Sequence, residues 1–181
     1  MGTHYFIAIS LPPFIKEVLA SWKEQAQNIL PFQTWVHQED YHITLAFLGS
    51  VSLDKLSLLQ TELKHLAVPN ISLALQGLHT FGSPRQPRVL WAGVTAEPQL
   101  YTLQQDVKRI CENVGFSLEK RPYKPHITLA RRWRGEEPFK GADTQAWDGM
   151  EFLVEKVALY ETQLNQVPKY KEIYSQFRCS E

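Results

Sequence analysis

His42-Ile43-Thr44-Leu45-Ala46 returns, letter for letter, as His126-Ile127-Thr128-Leu129-Ala130. Both copies read as strands, and a strand sends alternate side chains to opposite faces. His42 and Thr44 therefore share one face, with Ile43, Leu45 and Phe47 expected on the other. His126 and Thr128 stand in the same way against Ile127 and Leu129. Each copy has an apolar back and a front of imidazole plus hydroxyl. Each also lies downstream of an amphipathic helical pattern. The simplest architecture is two related lobes, each donating one copy, whose fronts meet across a cleft.

The elements around the repeat support a mixed fold. Tyr5–Ile9 is a short apolar strand. Apolar residues then fall at Phe14, Ile15, Val18, Leu19, Trp22, Ile29 and Leu30, a helical stripe opened by Pro13. Tyr41–Leu48 reads as a strand that stops at Gly49. Ser52 is placed to cap a second helix with the face Leu53, Leu56, Leu59, Leu63 and Leu66. Strands are expected at Ile71–Leu75, Leu78–Phe81 and Arg88–Val94. A third helix carries Leu100, Leu103, Val107, Ile110 and Val114 and ends at Gly115. Further strands are expected at Phe116–Leu118, Pro125–Arg132, Phe152–Leu164 and Tyr170–Phe177, with one long loop from Gly135 to Gly149. Without a regular βαβ alternation, the fold class is α+β: two pseudo-symmetric lobes of antiparallel β-sheet with flanking helices, residues 1–181 forming a single domain.

The front face suits phosphate esters. Opening a cyclic phosphodiester needs a base for water and an acid for the departing ribose oxygen. Imidazole, with an ordinary pKa of about 6.5, supplies either near neutral pH. Threonine hydroxyls can donate to nonbridging oxygens, although threonine also favours strands on its own account. Lys120, Arg121, Lys124, Arg131, Arg132 and Arg134 bracket His126 with no acidic residue among them. In that stretch Tyr123 and Trp133 are candidate platforms for a nucleobase, as is Trp35 beside the first copy. Lys120, Arg132 and Arg134 read more simply as a solvated surface, and His4, His37, His65 and His79 as structural. Tyr5, Trp22 and Trp91 are assigned to the core.

No His-Glu-x-x-His, paired-Asp or zinc-spaced Cys/His pattern is present, so neither metal nor cofactor is expected. A serine nucleophile lacks its Gly-x-Ser-x-Gly elbow. Of 181 residues, 44% are hydrophobic and 21% charged, and 19 basic residues balance 19 acidic ones. That neutrality argues against a protein coating duplex nucleic acid but leaves room for a local phosphate site. Cys111 and Cys179 read as reduced thiols, Cys111 on the buried side of a helix, which suggests a cytoplasmic location. Met1–Leu11 reads as a first strand and not a leader, and Gly2 lacks a myristoylation context. No apolar run reaches membrane-spanning length, and a monomer without an obligate protein partner is expected.

Two His-x-Thr strands with these flanks resemble the two-histidine phosphoesterase superfamily, and within it the RNA 2′,3′-cyclic phosphodiesterases, also called RNA 2′-5′ ligases. The likeness takes in Phe6-Ile7-Ala8-Ile9 with Leu11-Pro12, both repeats (the first running on to Phe47-Leu48-Gly49), Arg88-Val89-Leu90-Trp91 and Leu159-Tyr160-Glu161. It implies hydrolysis of a 2′,3′-cyclic phosphate on RNA to a 2′-phosphomonoester, with reverse 2′-5′ joining as a second activity. It implies His42 as general acid, His126 as general base, and Thr44, Thr128 and Arg131 as phosphate ligands. Strict alternation puts Arg131 on the back face, so that role requires a strand end, a bulge or a long reach. Two alternatives stand beside this reading. One is a nucleotide-binding module without catalysis. The other is the same chemistry on 2′-5′-linked oligonucleotides or a small cyclic nucleotide.

Overall fold

The computed structural model describes residues 3–178, so Cys179 and Gly2 lie outside the described residues. In chain order the elements are β1 (His4–Ser10), α1 (Pro13–Ala26), β2 (Phe32–Trp35), β3 (His42–Ser50), α2 (Leu53–Leu63), β4 (Ser72–Gly82), β5 (Pro87–Val94), α3 (Pro98–Asn113), β6 (His126–Trp133), β7 (Glu151–Leu153), β8 (Lys156–Thr162) and β9 (Tyr170–Phe177). The strands join edge to edge in the order β7-β4-β5-β6-β3-β1-β8-β9, with β2 on a free stretch of β6. Every named pair is antiparallel, which establishes the α+β class.

The order reads alike outward from its centre. β6 and β3 meet at the pair Ile127↔Ile43, with β5 beyond β6 and β1 beyond β3. On each side the chain runs from a strand through a helix to a His-x-Thr strand: β1-α1-β3, with the short β2 interposed before β3, and β5-α3-β6. Both helices start on proline, Pro13 and Pro98, where the missing N–H costs no helical hydrogen bond. Ile15 and Leu19 of α1, Leu103 and Val107 of α3, and Ile43, Leu45, Ile127 and Leu129 all share one buried cluster. The helices thus cover the apolar back of the two repeats. Burying each of those isoleucines contributes roughly 1.5–3 kcal/mol.

Several expected elements shift. α1 ends at Ala26, and Ile29 lies exposed beyond it. Ser52 occupies the N-cap of α2 without a side-chain bond, and Leu53 is exposed. The two strands expected around Leu75 and Leu78 are one, β4, broken by a register shift beside Gly77 at φ +69°. Residues 116–118 form no strand; Phe116 is buried beneath the Lys55 ammonium. The run 152–164 splits into β7 and β8, and Gly49 sits within β3, opposite Tyr5. β2, four residues long, carries too little pattern to be read in advance. The 135–149 loop is tied down at three points. Trp147 is buried, the Trp22 indole donates to the Asp143 carbonyl (2.7 Å), and Asp148 accepts from the Gly77 amide (2.7 Å).

Candidate active site

The pair Ile43↔Ile127 turns both isoleucines into the core, so their neighbours emerge together on the opposite face. Extending the antiparallel register by one residue sets His42 opposite Thr128 and Thr44 opposite His126. The four residues singled out by the repeat therefore share one patch at the centre of the sheet, each partly open to solvent.

The imidazoles are oriented identically. Nδ1 of His42 lies 2.7 Å from the Asp40 carbonyl, and Nδ1 of His126 lies 2.7 Å from the Lys124 carbonyl. A carbonyl only accepts, so each Nδ1 carries a proton and each Nε2 is left for chemistry. The Thr44 hydroxyl donates to Nε2 of His42 at 3.1 Å. Neither Asp40 nor Lys124 was legible as a partner, because the contact uses backbone two residues upstream.

A bulge in each strand decides what stands next to them. Ile7↔Ala46 is followed by Ala8↔Thr44, which leaves Leu45 as the extra residue of β3. Leu90↔Ala130 is followed by Trp91↔Thr128, which leaves Leu129 as the extra residue of β6. Each bulge reverses the alternation beyond it. Arg131 is returned to the front, paired with Val89, and Phe47 comes forward as well, paired with Phe6. The expectation that Phe47 shares the back with Leu45 is therefore corrected: it is 62% exposed and stacks on Phe6. The bulged carbonyls remain satisfied, Leu45 by the Gln104 amide (3.2 Å) and Leu129 by the Val36 N–H (2.9 Å).

The walls differ. His42 lies among Phe6 (4.8 Å between ring centroids), Tyr170 (5.3 Å) and Tyr160 (6.2 Å). Burial pushes its pKa down to about 4, and the charges of His126, Arg131 and Lys16 push the same way against the Asp40 hydrogen bond. His126 meets Phe81 (5.0 Å) and Trp91 (5.7 Å) edge-on. Its pKa is also lowered, by burial first and then by Arg131 and Lys124, against the bond to the Lys124 carbonyl. The Arg131 guanidinium is thus in electrostatic reach of both imidazoles. Trp91 is buried as expected, yet its ring also walls the site, and Lys124 lies over it at 5.1 Å.

The three aromatic candidates lie elsewhere. Trp35 is opposite Ala130, one residue from Arg131 and so on the other face, where it packs on Trp22 and Phe32. Trp133 packs on Phe32 and Phe139 and donates its indole N–H to the Glu137 carbonyl (3.0 Å). Tyr123 rests edge-on against Tyr101. Phe6, Tyr160, Tyr170, Phe81 and Trp91 surround the imidazoles instead, with Phe47 stacked on Phe6. Among the described residues, no three His, Cys, Asp or Glu side chains gather as metal ligands.

The profile of the 2′-5′ RNA ligase superfamily matches residues 12–166. The chain belongs to that superfamily. It is 43% identical over 175 residues to an RNA 2′,3′-cyclic phosphodiesterase of Geobacillus stearothermophilus, covering 94% of this chain and 56% of that protein. A Bacillus subtilis protein of the same name is 37% identical, with 94% of each chain covered. The chain therefore spans little more than half of the first relative and nearly all of the second. Among solved structures, Escherichia coli LigT in its apo form superposes with a TM-score of 0.78 at 25% identity, over 98% of both chains. No helix among the described residues is long and apolar enough to cross a membrane.

Proposed function

We propose that this chain is an RNA 2′,3′-cyclic phosphodiesterase that leaves a 2′-phosphomonoester, with 2′-5′ joining as the same displacement at phosphorus when an RNA 5′ hydroxyl takes the place of water. The observation that carries the reading is the matched pair of imidazoles. Each is fixed through Nδ1 on a backbone carbonyl, and Arg131 is brought to the same face by the Leu129 bulge. Membership of the superfamily and the names of the relatives support it.

In the reaction, Nε2 of His126 takes a proton from water as the water oxygen bonds to phosphorus. The bond from phosphorus to the ribose 3′ oxygen breaks, and Nε2 of His42 gives that oxygen its proton. Thr44, Thr128 and Arg131 hold the nonbridging oxygens, where negative charge concentrates. Burial alone works against a protonated His42; a bound phosphate anion beside it raises the pKa that the apolar wall depresses. Phe47 offers an exposed aromatic face beside Phe6, the ring that lines His42, on which the terminal base stacks. Every role falls on a protein side chain, so the reading needs no metal and no cofactor. Both His-x-Thr strands belong to one sheet, and the chain acts as one catalytic unit, a monomer with RNA as its partner. Cys111, a buried free thiol, fits a reducing cytoplasm.

The test is incubation of the protein, in excess EDTA, with an oligoribonucleotide ending in a 2′,3′-cyclic phosphate. The expected product resists a 3′-specific phosphatase, as a 2′-phosphate must. Replacing either histidine by alanine lowers the rate about 10²–10⁴-fold. A folded protein with no turnover, or one in which both variants keep the wild-type rate, overturns the reading.

A further inference from the structure

The eight arginines of the chain sort into two groups. Arg109 on α3, Arg121 before β6 and Arg178 after β9 are each paired with a carboxylate: Asp106, Glu119 and Glu155 respectively. The other five, Arg85, Arg88, Arg131, Arg132 and Arg134, are all exposed, and among the described residues none of them forms an ion pair.

Strand pairing gathers these five at one corner of the sheet. Arg131 is opposite Val89, so Arg88 is next to it across the β5–β6 ladder. The stem of Arg88 lies across Gly82, where β4 turns into β5. Arg85 is in that turn, and its carbonyl accepts the Phe139 N–H (3.1 Å), bringing the turn against the loop that follows β6. Ser83, Arg85, Gln86, Glu136 and Pro138 line an open groove between the two. Arg134 donates to the Gln33 side chain, a neutral acceptor that leaves its charge uncancelled. Arg132 holds a left-handed backbone, φ +62°, which an arginine adopts only against a steric penalty. Glu136 and Glu137 are the acids beside the corner, two against five.

Five like charges at one corner without an ion-pair partner cost the fold stability and contribute nothing to its core. They do suit a polyanion, because the guanidinium fork matches phosphate oxygens. The corner also begins at Arg131, the residue assigned to the reacting phosphate. From Val89 back to Arg85 the chain covers at most about 13 Å at strand spacing, room for a short run of nucleotides.

We propose that this corner is the track of the RNA strand leading into the cleft: Arg88, Arg132 and Arg85 hold successive backbone phosphates upstream of the cyclic end. The inference rests on the phosphodiesterase reading above and extends it from a terminal nucleotide to a strand. The substrate is then an oligoribonucleotide, and a cyclic mononucleotide fills only part of the site.

The test compares the wild type with the triple variant Arg85→Gln, Arg88→Gln, Arg132→Gln, checked for folding by its thermal melt. Two substrates are used, a 2′,3′-cyclic mononucleotide and an eight-residue RNA with the same end. In parallel, binding of a fluorescent eight-mer ending in a 3′-phosphate is followed from low to moderate salt. The wild type should prefer the eight-mer through a lower KM. The variant should lose that preference, keep its rate on the mononucleotide, and bind the eight-mer with a log–log salt slope shallower by about 2, three phosphate contacts at about 0.7 each. Equal binding and equal slopes in the two proteins overturn the track, as does a corner that captures an acidic peptide but not RNA. A wild type that binds the eight-mer through these arginines yet cleaves neither substrate overturns the activity and leaves the track standing.

Discussion

Two stretches of five identical residues end in different environments. Both send Nδ1 to the carbonyl two residues upstream at 2.7 Å, and both bulge at leucine. The sixth residue, which the bulge turns toward the site, is Phe47 in one copy and Arg131 in the other. The surroundings follow the same division. His42 lies among Phe6, Tyr160 and Tyr170, whereas His126 has Lys124 and Arg131 near it as well as Phe81 and Trp91. What repeats is the means of aiming an imidazole. What differs is the field it works in, aromatic and apolar around His42, cationic as well as aromatic around His126. On the proposed reading, one symmetric scaffold thereby gives two identical side chains opposite tasks.

The largest test of that division removes the need for one task. A substrate whose 3′ bridging oxygen is replaced by sulfur has a leaving group that departs without a proton. The variant His42→Ala should recover at least tenfold of its loss on this substrate, and His126→Ala should recover nothing, because water still needs a base. Equal recovery in both would dissolve the assignment of acid and base. In the wild type both imidazoles are held below the ordinary value of 6.5. The kcat/KM optimum should therefore lie on the acid side of pH 6.5, falling at higher pH as the acid loses its proton. The kcat profile should sit at higher pH, since bound phosphate favours imidazolium.

Next in size is the sixth position. Arg131→Ala should lower kcat about 10²–10³-fold, the loss typical of one donor to developing oxyanion charge. Phe47→Ala should chiefly raise KM, by the roughly 1–3 kcal/mol of a stacked base. Steady-state kinetics on one oligoribonucleotide separates them. Matching effects on KM and kcat in the two variants would mean that the cleft has no apolar and cationic sides.

How much of this was legible follows from what periodicity encodes. The repeated pentapeptide was enough to read the two strands, their apolar backs and the four residues of the central patch, because alternation at period two holds as far as the bulge. It could not give Arg131 its face. A bulge is set by whether a partner can satisfy the stranded carbonyl, and those partners, Gln104 and Val36, lie 59 residues from Leu45 and on a short strand's flank. The same limit hid Asp40 and Lys124, whose part is played by backbone. Trp35 and Trp133 pack against Trp22, Phe32 and Phe139 because an aromatic near a motif in sequence is only one residue from the other face. Phe6, Tyr160 and Tyr170 reach His42 from three strands, β1, β8 and β9, and only the strand order brings them together.

Acid stability tests the field around His42 without any substrate. A neutral, partly buried imidazole with its pKa lowered to about 4 refuses the proton that the unfolded chain takes up below about 6.5. Folding stability is therefore lost as pH falls from about 6.5 toward 4 and levels off below, by on the order of 3 kcal/mol from this group. The carboxylates titrate in both proteins, so the informative quantity is the difference. Urea melts across this range should show the wild type losing stability relative to His42→Ala as the pH drops. A constant gap would mean that the site is wetter than its packing indicates.

The smallest effect concerns the scaffold that makes the two copies alike. Gln104 is buried on α3, and its amide reaches across to the Leu45 carbonyl, the group stranded by the β3 bulge. At Leu129 the same debt is met by backbone, the Val36 N–H, which no substitution removes. Gln104→Leu keeps the bulk and deletes the donor, leaving one buried acceptor unpaired at a cost of about 1–3 kcal/mol. The bulge sets the facing of Phe47 and leaves His42 on the Asp40 carbonyl. The variant should accordingly melt earlier and raise KM for RNA while kcat stays within a few-fold of the wild type. A fall in kcat as large as that of Arg131→Ala would mean that the two bulges are coupled through the Ile43↔Ile127 bridge, and that the copies do not hold their imidazoles independently.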